Sequence, residues 1–305
     1  MPKNGYFVLS LFITYNVCAS EQEKQPLQEI IWLQSHTAPF HIAKSERSPQ
    51  GGLCDNLTEQ LINNIPGVKH TRLAVPQARI HKYLAEGKNI CLPCTLYKNH
   101  SNQMFKYSNP TAVYPPFSVI TTKALKPILT KKYGNPIHLI SLLTDQNYIY
   151  GQAATRRFSP NINTIINNRV LHINAPLNLS NENQTMTTQL NYGFLDYVID
   201  YPFMINYFKQ QNKFNNLVSI PIEENYNTVI QGAVGCAVNA PNNFAEQAIN
   251  KINFALKNKI LQSYEYQHTQ YDWLNNGTNN FRQHYSDYVL NFNSHTTAAQ
   301  ASIVR

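Results

Sequence analysis

Ten residues, Gly193-Phe-Leu-Asp-Tyr-Val-Ile-Asp-Tyr-Pro202, constrain the fold of this chain more than any others. A turn glycine leads into a short apolar strand, Tyr197 to Ile199, with a carboxylate at its end and a helix opening at Pro202. An apolar run without alternation marks a strand covered on both faces, as in parallel sheets. Ligands of open α/β sheets lie outside the carboxyl ends of such strands. Asp200 and Tyr201 therefore fall where a small molecule would be met. Asp is also a favoured N-terminal helix cap, and the two roles are compatible.

The rest of the chain repeats the alternation. Gln28–Gln34 reads as a strand leading into a loop with Pro39-Phe40, and Asn56-Leu-Thr-Glu59 as the capping box of a helix with Leu57, Leu61, Ile62 and Ile65 on one face. Val68–Val75 is a second strand, Pro76 opens a helix that stops at Gly87, and Asn89–Leu92 is a third strand. Tyr114–Thr122 is a β-rich crossing segment whose two prolines suit a linker or sheet edge. Beyond it, Pro136–Leu143 is a helix or turn and Tyr148–Ala153 a strand. Ser159 and Pro160 then form the cap and first position of a helix. Arg156 and Arg157 precede that helix, so this corner is a candidate anion site; a solvated arginine pair is the competing reading. Strands are expected at Asn168–Asn174 and Asn216–Pro221, a helix at Thr185–Tyr192, and a second crossing segment at Val229–Val238. Asn243-Phe-Ala-Glu246 reads as a capping box before a long helix, and Tyr271–Phe292 as a helical, aromatic tail that frays from Thr296. The pattern is α/β, with two lobes joined by two crossing strands, a hinge architecture that closes around a ligand.

The N-terminus gives an address. Lys3, the apolar run Tyr6–Thr14 and Val17-Cys-Ala19 make residues 1–19 a secretory signal peptide cleaved after Ala19. A lipid attached at Cys18 fits less well, because bulky Val17 stands where a small residue is wanted. Removing Lys3 takes the net charge of +8 to +7, but the cations are scattered and no nucleic-acid motif occurs, so nucleic acid is not an expected partner. Four cysteines remain: Cys54, Cys91, Cys94 and Cys236. In an exported chain they permit one or two disulfides, in three complete connectivities. Cys91-Leu-Pro-Cys94 has the spacing of a redox motif, yet turn residues follow it where such motifs open a long helix. The histidines lack the paired spacing of zinc sites, so no metal or other cofactor is expected.

Several stretches together resemble one family. They are Trp32 with Pro39-Phe40, Gly52 with Asp55, Ala78-Arg79 before Gly87 and Cys91, and Tyr107-Ser108-x-Pro110. Asp196 to Pro202, Val218 to Glu223 and Trp273-Leu274 complete the set. In this order they resemble periplasmic solute-binding proteins of the type 2 fold, in particular the amino-acid-type family 3 substrate-binding proteins of ABC transporters. The resemblance spans nearly all of the mature chain and implies two lobes, each a mixed sheet flanked by helices. One lobe would comprise residues 20–116 and 236–305, the other residues 117–235. It implies Phe40 as an aromatic packed on the ligand and Tyr114 as a second wall. It further implies an anion-binding helix start over Arg156 to Ser159, and Asp200 as the acid that pairs with a ligand's amino group. One departure matters. The stretch Lys98-Asn-His-Ser-Asn-Gln103 holds no arginine where such proteins clamp an α-carboxylate, and neither Asn nor Ser reproduces a bidentate guanidinium; Lys98 as a point charge and Arg79 as a substitute are the alternatives.

The function these features imply is non-enzymatic. A monomeric periplasmic protein would capture a small polar solute at Phe40, Tyr114, Arg156, Arg157, Ser159, Asp200 and Tyr201, for an inner-membrane permease or a sensor. The alternative is a dehydratase- or lyase-like enzyme on the same fold, with Asp200 and Glu223 as its acids. A thiol oxidoreductase rests on Cys91 and Cys94 alone.

Overall fold

The computed structural model describes residues 25–35, 37–42, 44, 51–98, 104–153, 156–168, 183–210, 214–275 and 280–292. The expected signal peptide, the strand at 168–174 beyond its first residue, and the frayed end lie outside them.

The chain opens with β1 (Glu29–Ser35), α1 (Leu53–Asn64), β2 (Lys69–Val75), a 3-10 turn at Gln77–Arg79 running into α2 (Ile80–Ala85), and β3 (Ile90–Leu96). β1 pairs in parallel with both β2 and β3, as the strand–helix alternation requires. The long β4 (Phe105–Tyr114) completes this pass, and after Pro115, Pro116 and Phe117 the chain enters a second sheet at β5 (Ser118–Thr122). There follow α3 (Lys126–Tyr133), α4 (Leu139–Leu143), the two-residue β6 (Tyr150–Gly151), α5 (Pro160–Ile166) and α6 (Asn183–Asn191). Then come β7 (Tyr197–Asp200), α7 (Phe203–Gln210), β8 (Leu217–Pro221) and, back in the first sheet, β9 (Ile230–Ala237). The end is helical: α8 (Phe244–Ala255) with a π-helical turn, α9 (Tyr264–Leu274), and α10 (Phe281–Tyr285) with a second π turn.

The first sheet has the order β2-β1-β3-β9-β4 and the second β6-β7-β5-β8. Both are mixed. β9 runs antiparallel to β3 and β4, and β7 is parallel to β6 but antiparallel to β5. Pro110 is tolerated because β4 is an edge strand. The residues between β4 and β5 and those between β8 and β9 are the two crossings. Val229–Val238, expected to be the second crossing, is instead a full member of the first sheet, pairing from Gly232↔Leu96 to Cys236↔Cys91. A division at residue 235 would therefore cut a strand. α8 packs on β4 and β9, and α9 on α1, so the tail returns to the first sheet.

Local chemistry moved several boundaries. α1 begins at Leu53, three residues ahead of the expected capping box. Asp55, not Glu59, turns back to accept from the Gly52 N–H at 2.9 Å, because the carbonyls of Pro39 and Phe40 already accept from Leu53 and Cys54. Asn243 sits in the left-handed region without capping α8, and Glu246 instead pairs with Lys106 of β4. The four cysteines form Cys54–Cys94 and Cys91–Cys236. Cys91 and Cys94 are thus not partners of one another, which removes the redox-motif reading: residues three apart on β3 face different neighbours, one toward α1 and one toward β9. Among the described residues no helix is long and apolar enough to cross a membrane.

Candidate functional site

The two sheets face each other across a cavity of about 480 Å3. Its first wall comes from the carboxyl ends of β1 and β3. β1 ends at Ser35 and gives way to the loop carrying Phe40 and His41, while β3 runs out through Thr95 and Leu96 to Tyr97 and Lys98. Its second wall is the segment Arg156 to Phe158, with Pro160 and Asn163 of α5 and Tyr201 at the end of β7. Tyr114, the last residue of β4, stands between them.

The Phe40 loop is held by a buried carboxylate. Asp55 accepts from the N–H groups of Gly52 (2.9 Å) and Ile42 (2.7 Å) and from Gln34 Nε2 (3.1 Å), and it pairs with His41 Nδ1 at 2.8 Å. Burial pushes this carboxyl up, but the His41 hydrogen bond and charge, then the backbone N–H groups, outweigh it and hold Asp55 below the ordinary carboxylate range. Gly52 is required here by space: a Cβ would stand 2.4 Å from the Phe40 carbonyl oxygen. Cys54–Cys94 ties the same helix start to β3 covalently.

The second wall is built round a guanidinium. Arg156 pairs with Asp200, whose Oδ1 also accepts from the Tyr201 N–H at 2.7 Å. The guanidinium carbon lies 5.1 Å from the ring centres of Phe117 and Tyr201 and 5.7 Å from that of Phe158, a cation–π cage. Burial pushes the Asp200 carboxyl up, against the opposing pull of the Arg156 charge. Arg156 Nε is buried and has no hydrogen-bond partner.

Aromatic rings join the two walls. Phe40 meets Tyr114, Tyr201 and Phe203 edge-on at centroid distances of 5.9, 6.0 and 5.6 Å. Tyr201 stacks on Phe117 at 4.3 Å and on Phe203 at 5.1 Å. Burial raises the phenol pKa of both Tyr114 and Tyr201 well above the usual value, so both are neutral hydroxyls across the physiological range. Tyr114 lies so close to β9 that a Cβ on Gly232 would stand 2.6 Å from its hydroxyl.

Of the residues singled out in the sequence, Phe40, Tyr114, Arg156, Arg157 and Tyr201 come together on one cavity. Two residues stand apart from its lining. Ser159 is buried at the cap of α5, but its hydroxyl goes to Asn225 Oδ1 (3.2 Å) instead of the helix N-terminus, and the Asn163 amide donates to the Phe158 carbonyl (2.7 Å). Asp200 lies behind Arg156, its carboxylate already committed. Sequence reasoning missed His41, Thr95 and Tyr97 as wall residues and Asp55 as the organiser of the loop. The signal was present: the rule that directs attention to the end of β7 applies equally to the ends of β1 and β3. Among the described residues no three His, Cys, Asp or Glu side chains gather where they would hold a metal ion.

Comparison with solved structures places this architecture. A putative L-cystine ABC transporter protein from Listeria monocytogenes superposes with a TM-score of 0.61 at 14% identity, over 83% of this chain and 97% of that one. This chain has the two-lobe, type 2 fold of periplasmic binding proteins. A histidine-bound substrate-binding protein of an ABC uptake transporter from Streptococcus pneumoniae matches at 0.58 and 14% identity, covering 81% of this chain and 92% of that one. The periplasmic VFT2 domain of BvgS from Bordetella pertussis matches at 0.54 and 11%, covering 81% and 93%. At the level of sequence, neither a protein-family model nor a curated relative matches the chain.

Proposed function

We propose that this is an exported solute-binding protein that captures a small polar molecule between its lobes and hands it to a membrane transporter or a sensor. The observation that carries the reading is the cavity itself. Both sheets contribute the ends of their strands to it, and its walls combine aromatic surface with a few convergent polar groups, the usual make-up of a small-molecule site. The two crossings at 115–117 and 222–229 are the natural hinges, so ligand contacts to both walls would favour the closed arrangement. Two disulfides suit an oxidising compartment, in keeping with cleavage after Ala19 and a periplasmic, monomeric protein. Binding is favoured over catalysis by where the candidate acids stand. Asp200 is paired with Arg156, and Glu223 is exposed in the 3-10 turn after β8, away from the cavity lining.

A thermal-shift screen of amino acids, short peptides, polyamines and organic acids tests the reading. A ligand at one hundred times its Kd stabilises the folded state by about 2.7 kcal/mol, a shift of roughly 4–5 °C for a chain of this size. The expected outcome is one chemical class that shifts the melt. Well-folded protein that no class shifts at millimolar concentration overturns the proposal.

A further inference from the structure

The charges around the cavity are one-sided. Lys98, Arg156 and Arg157 line it beside the imidazoles of His41 and His81, and among the described residues no aspartate or glutamate does. Arg156 is already compensated from behind by Asp200, and His41 is hydrogen-bonded to Asp55. Lys98 and Arg157 form no ion pair with any described carboxylate. The two come from opposite walls, Lys98 just past the end of β3 and Arg157 just before α5. A molecule bridging the walls therefore meets positive charge from both sides.

Among the described residues, the acids nearest the cavity are not available to a cation. Asp55 already has four donors, and Asp200 has the Arg156 guanidinium and the Tyr201 N–H. A ligand ammonium would lose its water among aromatic rings and gain no carboxylate, which is unfavourable. An oxyanion gains Lys98 and Arg157, and it brings the kind of acceptor that the buried Arg156 Nε lacks. Phe40, Tyr97, Tyr107, Tyr114, Phe158 and Tyr201 give the lining its aromatic surface, which suits a flat apolar body.

We infer that the cavity takes a small organic anion with a flat apolar body, held by Lys98 from the first wall and Arg157 from the second, with no ammonium group required. This rests on the solute-binding reading and narrows it. Asp200 then acts as a positioning residue for Arg156 and not as a partner for the ligand.

The test compares probes that share one ring and differ in charge: benzoate, benzamide, benzylamine and phenylalanine, titrated calorimetrically into the exported protein. Benzoate is expected to bind more tightly than the other three, with an affinity that falls as salt is raised. Lys98→Gln with Arg157→Gln should weaken benzoate about tenfold or more and leave the melting temperature of the free protein unchanged. Equal or tighter binding of benzamide, benzylamine or phenylalanine overturns the inference. So does benzoate binding that ignores the double substitution. If none of the four binds while another class shifts the melt in the wider screen, the inference falls and the solute-binding reading stands. If nothing in either set binds, both fall.

Discussion

Two carboxylates flank the cavity from behind, and they are held in opposite ways. Asp55, in the first turn of α1, sits among fixed dipoles: two backbone N–H groups, an amide and an imidazole. Asp200, at the end of β7, has one backbone N–H and a single side-chain partner, Arg156. Both side chains expose little surface, 11% and 10%, but Asp200 is the more deeply desolvated; the Asp55 carboxyl is held below its ordinary range and that of Asp200 is pushed above it. Heavier desolvation and fewer fixed donors act in the same direction at Asp200, whereas at Asp55 the donors outweigh the burial. The first wall is a rigid mount for Phe40. The second is an ion pair caged by rings, in which the acid serves the base.

This contrast can be broken by experiment. The largest expected effect is on the first wall. Cys54→Ala with Cys94→Ala opens a loop of 40 residues and should cost about 4 kcal/mol of stability, read as a lowered urea midpoint that reductant no longer changes at this bridge. Next, Asp55→Ala orphans the donors that position the Phe40 loop and should cost about 3 kcal/mol, measured by the same unfolding curves. Replacing His41 as well should not restore it, since two of the orphaned donors are backbone.

The second wall should behave differently. Asp200→Leu leaves Arg156 buried without its counter-charge and should cost about 3 kcal/mol, of which about 2 kcal/mol returns when Arg156→Met is added, because removing both members of a buried pair is far milder than removing one. No such recovery would mean that Asp200 is anchored chiefly by the Tyr201 N–H and that the two walls are alike.

The smallest effect is in the pH dependence, and its sign differs between the two acids. The folded-state pKa of Asp55 is lowered, so its contribution is complete above the unfolded value of about 3.9 and is lost as pH falls through the folded value. For Asp200 the folded protein holds the proton more tightly than the unfolded chain, so stability falls as pH rises from the unfolded value through the folded one. Urea midpoints between pH 3 and 7 should therefore show Asp55→Asn removing a loss on acidification, and Asp200→Asn removing a loss on raising the pH. Parallel changes in the two variants would show that Arg156 fixes the Asp200 carboxylate as firmly as the N–H groups fix Asp55.

Much of the fold was legible because its signals are local. Gly87 and Gly193 both end helical stretches with positive φ, the apolar run at Tyr197–Ile199 became β7, and Pro76 opened the turn into α2. The strand–helix alternation led directly to the parallel β2-β1-β3 core. Of the residues on the cavity, Arg156, Arg157 and Tyr201 were singled out by their place at a helix start or strand end, and Phe40 and Tyr114 by the family resemblance.

What the tertiary structure alone decided depends on partners distant in sequence. The cysteine connectivity was open among three arrangements, and the choice of Cys91–Cys236 follows from β9 lying beside β3, 145 residues away. That Val229–Val238 belongs to a sheet and is not a crossing depends on the same pairing. Asp200 had the sequence context of a ligand-facing acid; only the fold brings Arg156, 44 residues earlier, onto it. Asp55 looked ordinary until its helix start met the Phe40 loop. A residue's type and its local neighbours set which charges and hydrogen bonds it can offer, and the sequence by itself determined those. Which partner consumes them is settled by contacts across the chain, and that is why the same residue type, Asp, fixes a loop in one wall and steadies a cation in the other.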